Sequence, residues 1–281
     1  MTSSELDLER LYIGKDIKIT DSITVHQPTI GEIFEFGGRE YFSVIFTLTS
    51  VGADMKWQLF DAGIDFTQIS DYELFTQYIA KGLSNDKTRI LFGDILDFSQ
   101  MELYYDNNLK ENVLIQRINT KKTVKKEIGG KLNRFIAKFI PYFKKEEQLE
   151  YYEEEIIKID VQVYNSMIDV VRKLHNLKRN DEIPANEITK MMMIDLARED
   201  YDIAKNKPYK SQLLSLVSSM VNVEGFKRND VEVLDMKIFA FMDSVKRIGK
   251  IRNATLLLQS GYSGFGVDLK KIDKSVINWT E

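Results

Sequence analysis

The chain has 281 residues, 43% hydrophobic and 29% charged, a balance that suits a folded protein with a real core and excludes disordered or collagen-like classes. Its formal net charge of -4 gives no overall pull toward nucleic acid, whose binding rests on Lys and Arg set against phosphates. Cysteine is absent, which excludes disulfides, thiolate nucleophiles and zinc-thiolate sites and fits a reducing cytosol.

Residues 2–9 are polar and acidic instead of a basic start leading into an apolar run, so no secretory signal is expected. The longest apolar runs, at 238–242 and 256–258, fall far short of the roughly 20 residues that cross a bilayer. Over residues 17–25 apolar and polar types alternate and β-branched residues dominate, predicting a strand that ends at His26, Gln27 and Pro28. Ile30, Ile33 and Phe34 recur at helical spacing, as do Tyr41, Val44, Ile45 and Leu48 after the Gly37-Gly38 break, predicting two short helices. Asp54 is placed to cap a helix holding Trp57, Leu59 and Phe60. Ser70 and Glu73 have the capping-box spacing that opens a helix bearing Leu74, Phe75, Tyr78 and Ile79. Residues 101–105 and 113–116, separated by Asp106, Asn107 and Asn108, predict a hairpin.

From 117 to 145 the charge is basic, opposed only by Glu127; Glu146, Glu147, Glu150 and Glu153 to Glu155 then reverse it. This pattern predicts a charged linker or insertion whose two blocks neutralise each other. Beyond it, spacings of three and four predict a helix after Asp160, carrying Tyr164, Met167, Ile168, Val171 and Leu174, and another after Asn186, carrying Met191, Ile194, Leu196 and Tyr201. A third covers 213–223. A long one follows Asp230 through Leu234, Ile238, Phe241, Val245, Ile248 and Ile251 toward Leu258. The expected fold class is α+β, with a small mixed N-terminal lobe containing a β-hairpin at 1–116, the charged segment at 117–155, and a mostly α-helical lobe at 156–281.

Chemistry is sparse. His26 and His175 each lack a second histidine at metal-ligand spacing and read as structural. No Gly-x-Ser-x-Gly elbow occurs, and the glycines at 261, 264 and 266 follow a helix and lack the lysine of a P-loop, so they read as helix termination. Asp235 with Lys237 and Asp268 with Lys270 have the acid-x-Lys form found in metal-dependent nuclease sites, and Asp94 and Asp97 are further carboxylates. A nuclease needs such groups to converge on a metal, and each reads more simply as a turn or helix residue. No catalytic, cofactor or metal site is expected.

One stretch has a distinct physical character. Over 131–145, Leu132, Phe135, Ile136, Phe139, Ile140 and Phe143 form an apolar stripe beside a basic face. As a binding element it would dock in a protein groove or lie peripherally on an anionic membrane; as a structural element it would fold onto its own domain, with Pro141 disturbing the final turn. These six residues are the candidate protein-binding site.

Several long blocks carry a family likeness: ITVHQPTIGEI at 23–33, LHNLKRNDEIP at 174–184, NKPYKS at 206–211, DSVKRI at 243–248, LLQSGYSGFG at 257–266 and INW at 277–279. The chain resembles phage proteins encoded in the tail-assembly region, near the major tail protein and tape-measure genes, in viruses of Gram-positive bacteria. The resemblance implies a non-catalytic tail-assembly chaperone or related tail-module protein in the host bacterial cytoplasm. Its task would be to keep an aggregation-prone tape-measure protein soluble while tail-tube subunits assemble, with self-association a further expectation. The alternative it leaves is a structural virion component such as a tail or connector adaptor, although a helical C-terminal half speaks against a tube subunit. The resemblance carries over no catalytic residue.

Overall fold

Helix α1 (Ser3–Tyr12) runs out at Gly14, whose φ of +78° turns the chain into a short antiparallel pair, β1 (Ile17–Lys18) and β2 (Thr24–Val25), with Ile17 opposite Val25. The computed structural model describes residues 3–126, 147–263, 266, 268 and 271–278. The single strand expected over 17–25 is thus folded on itself. The Thr20 hydroxyl accepts the backbone N–H groups of Ser22 and Ile23, at 3.3 and 3.0 Å, and closes a turn that lets Ile17, Ile23 and Val25 all be buried.

Thr29 and Glu32 form a reciprocal capping box that starts α2 (Ile30–Phe36), and Gly37, at φ +106°, joins it to α3 (Gly38–Thr49). Ile30, Ile33, Tyr41, Val44, Ile45 and Leu48 from these two helices are buried, as their spacing predicts. Asp54 does not cap α4 (Lys56–Asp61). Its carboxylate accepts the Val51 N–H at 3.0 Å and closes a 3-10 turn, Gly52–Asp54, leaving α4 without a side-chain cap. The Ser70 and Glu73 box does open α5 (Asp71–Leu74), which continues as a π-helical turn over Phe75–Ile79 before α6 (Asn85–Phe92). Phe75 packs against Phe98 and Tyr164, with ring centroids 5.5 and 4.9 Å away, so an aromatic cluster from distant parts of the chain anchors the core.

After the strands described below come α7 (Val161–Leu174), α8 (Glu187–Lys205), α9 (Gln212–Val221), α10 (Ile238–Tyr262) and α11 (Lys274–Ile277). Asp160, Asn186 and Ser211 cap the first three through backbone N–H groups at 2.9, 2.9 and 3.1 Å. The long helix starts later than its spacing suggests. Leu234 and Met236 give their carbonyls to the N–H groups of Gly31 and Ile30, at 2.8 and 2.9 Å, and Ile238 donates to Pro28. This crossing strap takes the backbone groups that a helix would need, so α10 begins only at Ile238.

Two compact units result, one of Met1–Met101 with Asp160–Glu281 and one of Glu102–Ile159. Helices from both ends of the chain share the first unit, and the boundaries expected at 116 and 155 fall inside strands. Among its described residues the second unit is a three-stranded antiparallel sheet of β3 (Glu102–Asp106), β4 (Glu111–Lys126) and β5 (Glu147–Ile159), in the order β3-β4-β5. Its first hairpin is the expected one, with the Asp106 carboxylate accepting the N–H groups of Asn108 and Leu109 and the Lys158 ammonium at 2.6 Å. The charged segment read as a linker instead supplies much of a ribbon whose register sets Thr120 opposite Glu153 and Lys126 opposite Glu147. The class is α+β. Among the described residues no helix is long and apolar enough to cross a membrane.

Candidate protein-binding groove

The wall of the main groove is set by how α7 ends. Asn176 adopts φ +52°, and the N–H groups of Asn176 and Leu177 donate to the carbonyls of Lys173 and Arg172 at 3.2 and 2.9 Å, a Schellman closure with Asn in the left-handed position. His175, only 2% exposed, locks this end from below. Its Nδ1–H donates to the Val171 carbonyl at 2.7 Å, which leaves Nε2 to accept the Tyr41 hydroxyl at 2.6 Å. Burial holds the imidazole neutral by lowering its pKa to about 4, and burial likewise pushes the Tyr41 phenol well above its ordinary value.

The chain leaving this closure is pinned by arginines. Arg172 donates to the Thr49 carbonyl at 2.8 Å, and Arg179 grips both oxygens of Asp71 at 2.9 Å each. The hydrogen bonds to Asp71 raise the Arg179 pKa further, so this fork stays charged.

Between this wall, α1 and the first turns of α10 lies a groove of about 1000 Å³. Leu8, Tyr12, Ile13, Leu177, Phe239 and Met242 supply its apolar lining. Tyr12 and Ile13 are 62% and 64% exposed, a large apolar surface left open to water. The rim is basic. Arg172, Lys173, Lys178, Arg179, Lys246 and Arg247 line it against Glu9, Asp169 and Asp243. Lys173 pairs with Asp169 at 2.7 Å and Arg247 with Asp243 at 3.4 Å, so the excess positive charge is carried chiefly by Arg172, which donates to a neutral carbonyl, and by Lys178 and Lys246. An apolar floor inside a cationic rim favours a helical segment with apolar side chains on one face and carboxylates beside them.

Two of the blocks singled out in the sequence meet here: 174–184 contributes Leu177, Lys178 and Arg179, and 243–248 contributes Asp243, Lys246 and Arg247. Helix α1 was not read from the sequence, although Leu8, Leu11 and Tyr12 have the three-and-four spacing that marks one face of a helix.

A second cleft of about 640 Å³ holds His26, whose Nδ1 lies 2.9 Å from Asp16 Oδ2, together with Arg89, Asp94 and Lys237. The other carboxylates weighed for metal chemistry lie elsewhere: Asp97 accepts the N–H and hydroxyl of Ser99, Asp235 is exposed in the strap before α10, and Asp268 lies 3.8 Å from Lys271. Among the described residues no group of three or more His, Asp or Glu is arranged to hold a metal ion. Leu132, Phe135, Ile136, Phe139, Ile140 and Phe143 lie outside the described residues. Comparison with protein-family models, with curated proteins and with solved structures finds no match for the chain.

Proposed function

We propose that this chain is a non-catalytic phage tail-assembly factor that binds other tail proteins, the tape-measure protein foremost, in the host bacterial cytoplasm. The observation that carries the reading is the open groove, with exposed Tyr12 and Ile13 inside a rim of lysine and arginine. The family likeness of the blocks that build it points to the same partner class. The groove would take an acidic amphipathic helix of the partner by burying its apolar face, while the lysines steer approach and fix register. Such contacts are reversible, as an assembly factor requires.

The deciding experiment co-expresses the chain with the tape-measure protein and follows the soluble fraction by size-exclusion chromatography with light scattering. A stable soluble complex is expected, and Tyr12→Asp with Ile13→Asp should abolish it while leaving the unfolding midpoint in place, because both residues are already exposed. A tape measure that remains insoluble with the wild-type chain would overturn the reading. Strand β3, where Leu103, Tyr104 and Tyr105 are all about half exposed at the edge of the sheet, favours a second reading, a structural virion component that joins neighbours by strand pairing. Purified particles containing this chain in stoichiometric amount would support that alternative.

A further inference from the structure

We infer that the groove also receives α8 of a second copy of this chain, making the protein self-associate head to tail. The inference rests on reading the groove as a seat for an acidic amphipathic helix. It comes from a surface that the groove does not include.

Helix α8 packs on α4 with one face only. Ile194 is buried there, the Tyr201 ring lies tilted against Trp57 with centroids 5.0 Å apart, and Lys190 and Arg198 turn toward the same side, where Asp65 and Asp61 hold them. The opposite face is apolar and open. Ile188, Met192, Leu196 and Ile203 lie along it, 75%, 59%, 57% and 48% exposed. At 100° per residue these four fall within one face about 80° wide, and Glu199 falls within it too, with Asp195 just beside it. Because both central cations are drawn inward, the outward face presents carboxylates and apolar side chains without a competing positive charge from Lys190 or Arg198.

This is the chemistry that the groove selects. The stripe from Ile188 to Ile203 runs about 22 Å at helical rise, and Met192 is an adaptable side chain for an irregular apolar floor. Asp195 and Glu199 would meet Lys178 and Lys246, charges that the groove does not satisfy through its own ion pairs. An unlike partner surface is implied, since the donor face is α8 and the acceptor face is built by α1, α7 and α10. Such heterologous contacts propagate into a ring or an open chain and do not stop at a symmetric dimer. Each copy would then cover its neighbour's groove until a tail protein displaces it.

The test uses the full chain and two variants: Met192→Lys with Leu196→Lys on α8, and Tyr12→Asp with Lys246→Glu in the groove. All four positions are at the surface, and circular dichroism checks that both variants fold. Sedimentation velocity of the wild type should show species beyond a dimer that grow with concentration and shrink at high salt. Each variant alone should be monomeric, and an equimolar mixture should give a 1:1 dimer and nothing larger, because each copy brings one intact face. A wild type that is monomeric throughout, variants that still associate alone, or a mixture that stays monomeric would each overturn the inference. The α8 variant should still solubilise the tape measure. Monomeric wild type that keeps the tape measure soluble sinks the head-to-tail contact alone, whereas a groove variant that keeps it soluble sinks the reading of the groove itself.

Discussion

At the residue scale, the hydrogen bonds of His175 lead to two measurable consequences. Nδ1 faces a carbonyl and must carry the proton, so Tyr41 donates to Nε2, and Tyr41→Phe would leave that nitrogen buried without a partner. The variant should lose about 1–3 kcal/mol of stability, read from denaturant unfolding. The same burial sets a pH dependence. With the folded pKa at about 4 and the unfolded value at 6.5, the unfolded chain binds the extra proton between those values, so stability falls as pH drops through the window. From pH 7 to pH 5 the loss should be on the order of 2 kcal/mol, and His175→Gln, which cannot titrate, should remove that part of the slope. Gly52 makes a different demand. A Cβ there would lie 2.2 Å from the Phe66 carbonyl oxygen, a backbone atom that cannot swing aside, so Gly52→Ala should destabilise by about 1–3 kcal/mol.

At the scale of elements, what could be read in advance was what is encoded locally. Ser70 with Glu73, Asp160 and Asn186 sit within three residues of the N–H groups they satisfy, so spacing alone places those helix starts. The α10 start was not legible, because the strap before it is held by Pro28, Ile30 and Gly31, some two hundred positions away in the chain. Strand β5 and the extension of β4 beyond Gln116 were hidden for a related reason. Their pairing joins residues across the 127–146 interval, and their charged sequences lack the alternation that marks a half-buried strand. The groove divides the same way: the sequence marks two of its contributing blocks, but only the tertiary fold brings α1 against them. A local cap also yields a local prediction. Asn186→Ala removes the acceptor for the Thr189 N–H and should cost about 1 kcal/mol, visible as earlier exchange of the first-turn amides of α8 with little change elsewhere.

At the scale of the whole molecule, the register of the ribbon permits a clean separation of the two protein-binding candidates, the groove and the apolar stripe at 131–145. Ile118 lies opposite Glu155, so residues 119–154 can be replaced by Asn-Gly, a two-residue hairpin turn, without changing the pairing of what remains. The shortened chain keeps β3, the paired base of β4 and β5, and the first unit with its core and groove. Because that core draws its buried side chains from Met1–Met101 and Asp160–Glu281, the unfolding midpoint of the first unit should be unchanged within about 0.5 kcal/mol. If the groove is the seat of the partner, the shortened chain should hold the tape-measure protein in solution as the full chain does, and Tyr12→Asp in that background should release it. Loss of the complex with the midpoint intact would instead move the contact to residues 119–154, where Phe135 and Phe139 would be the first side chains to change.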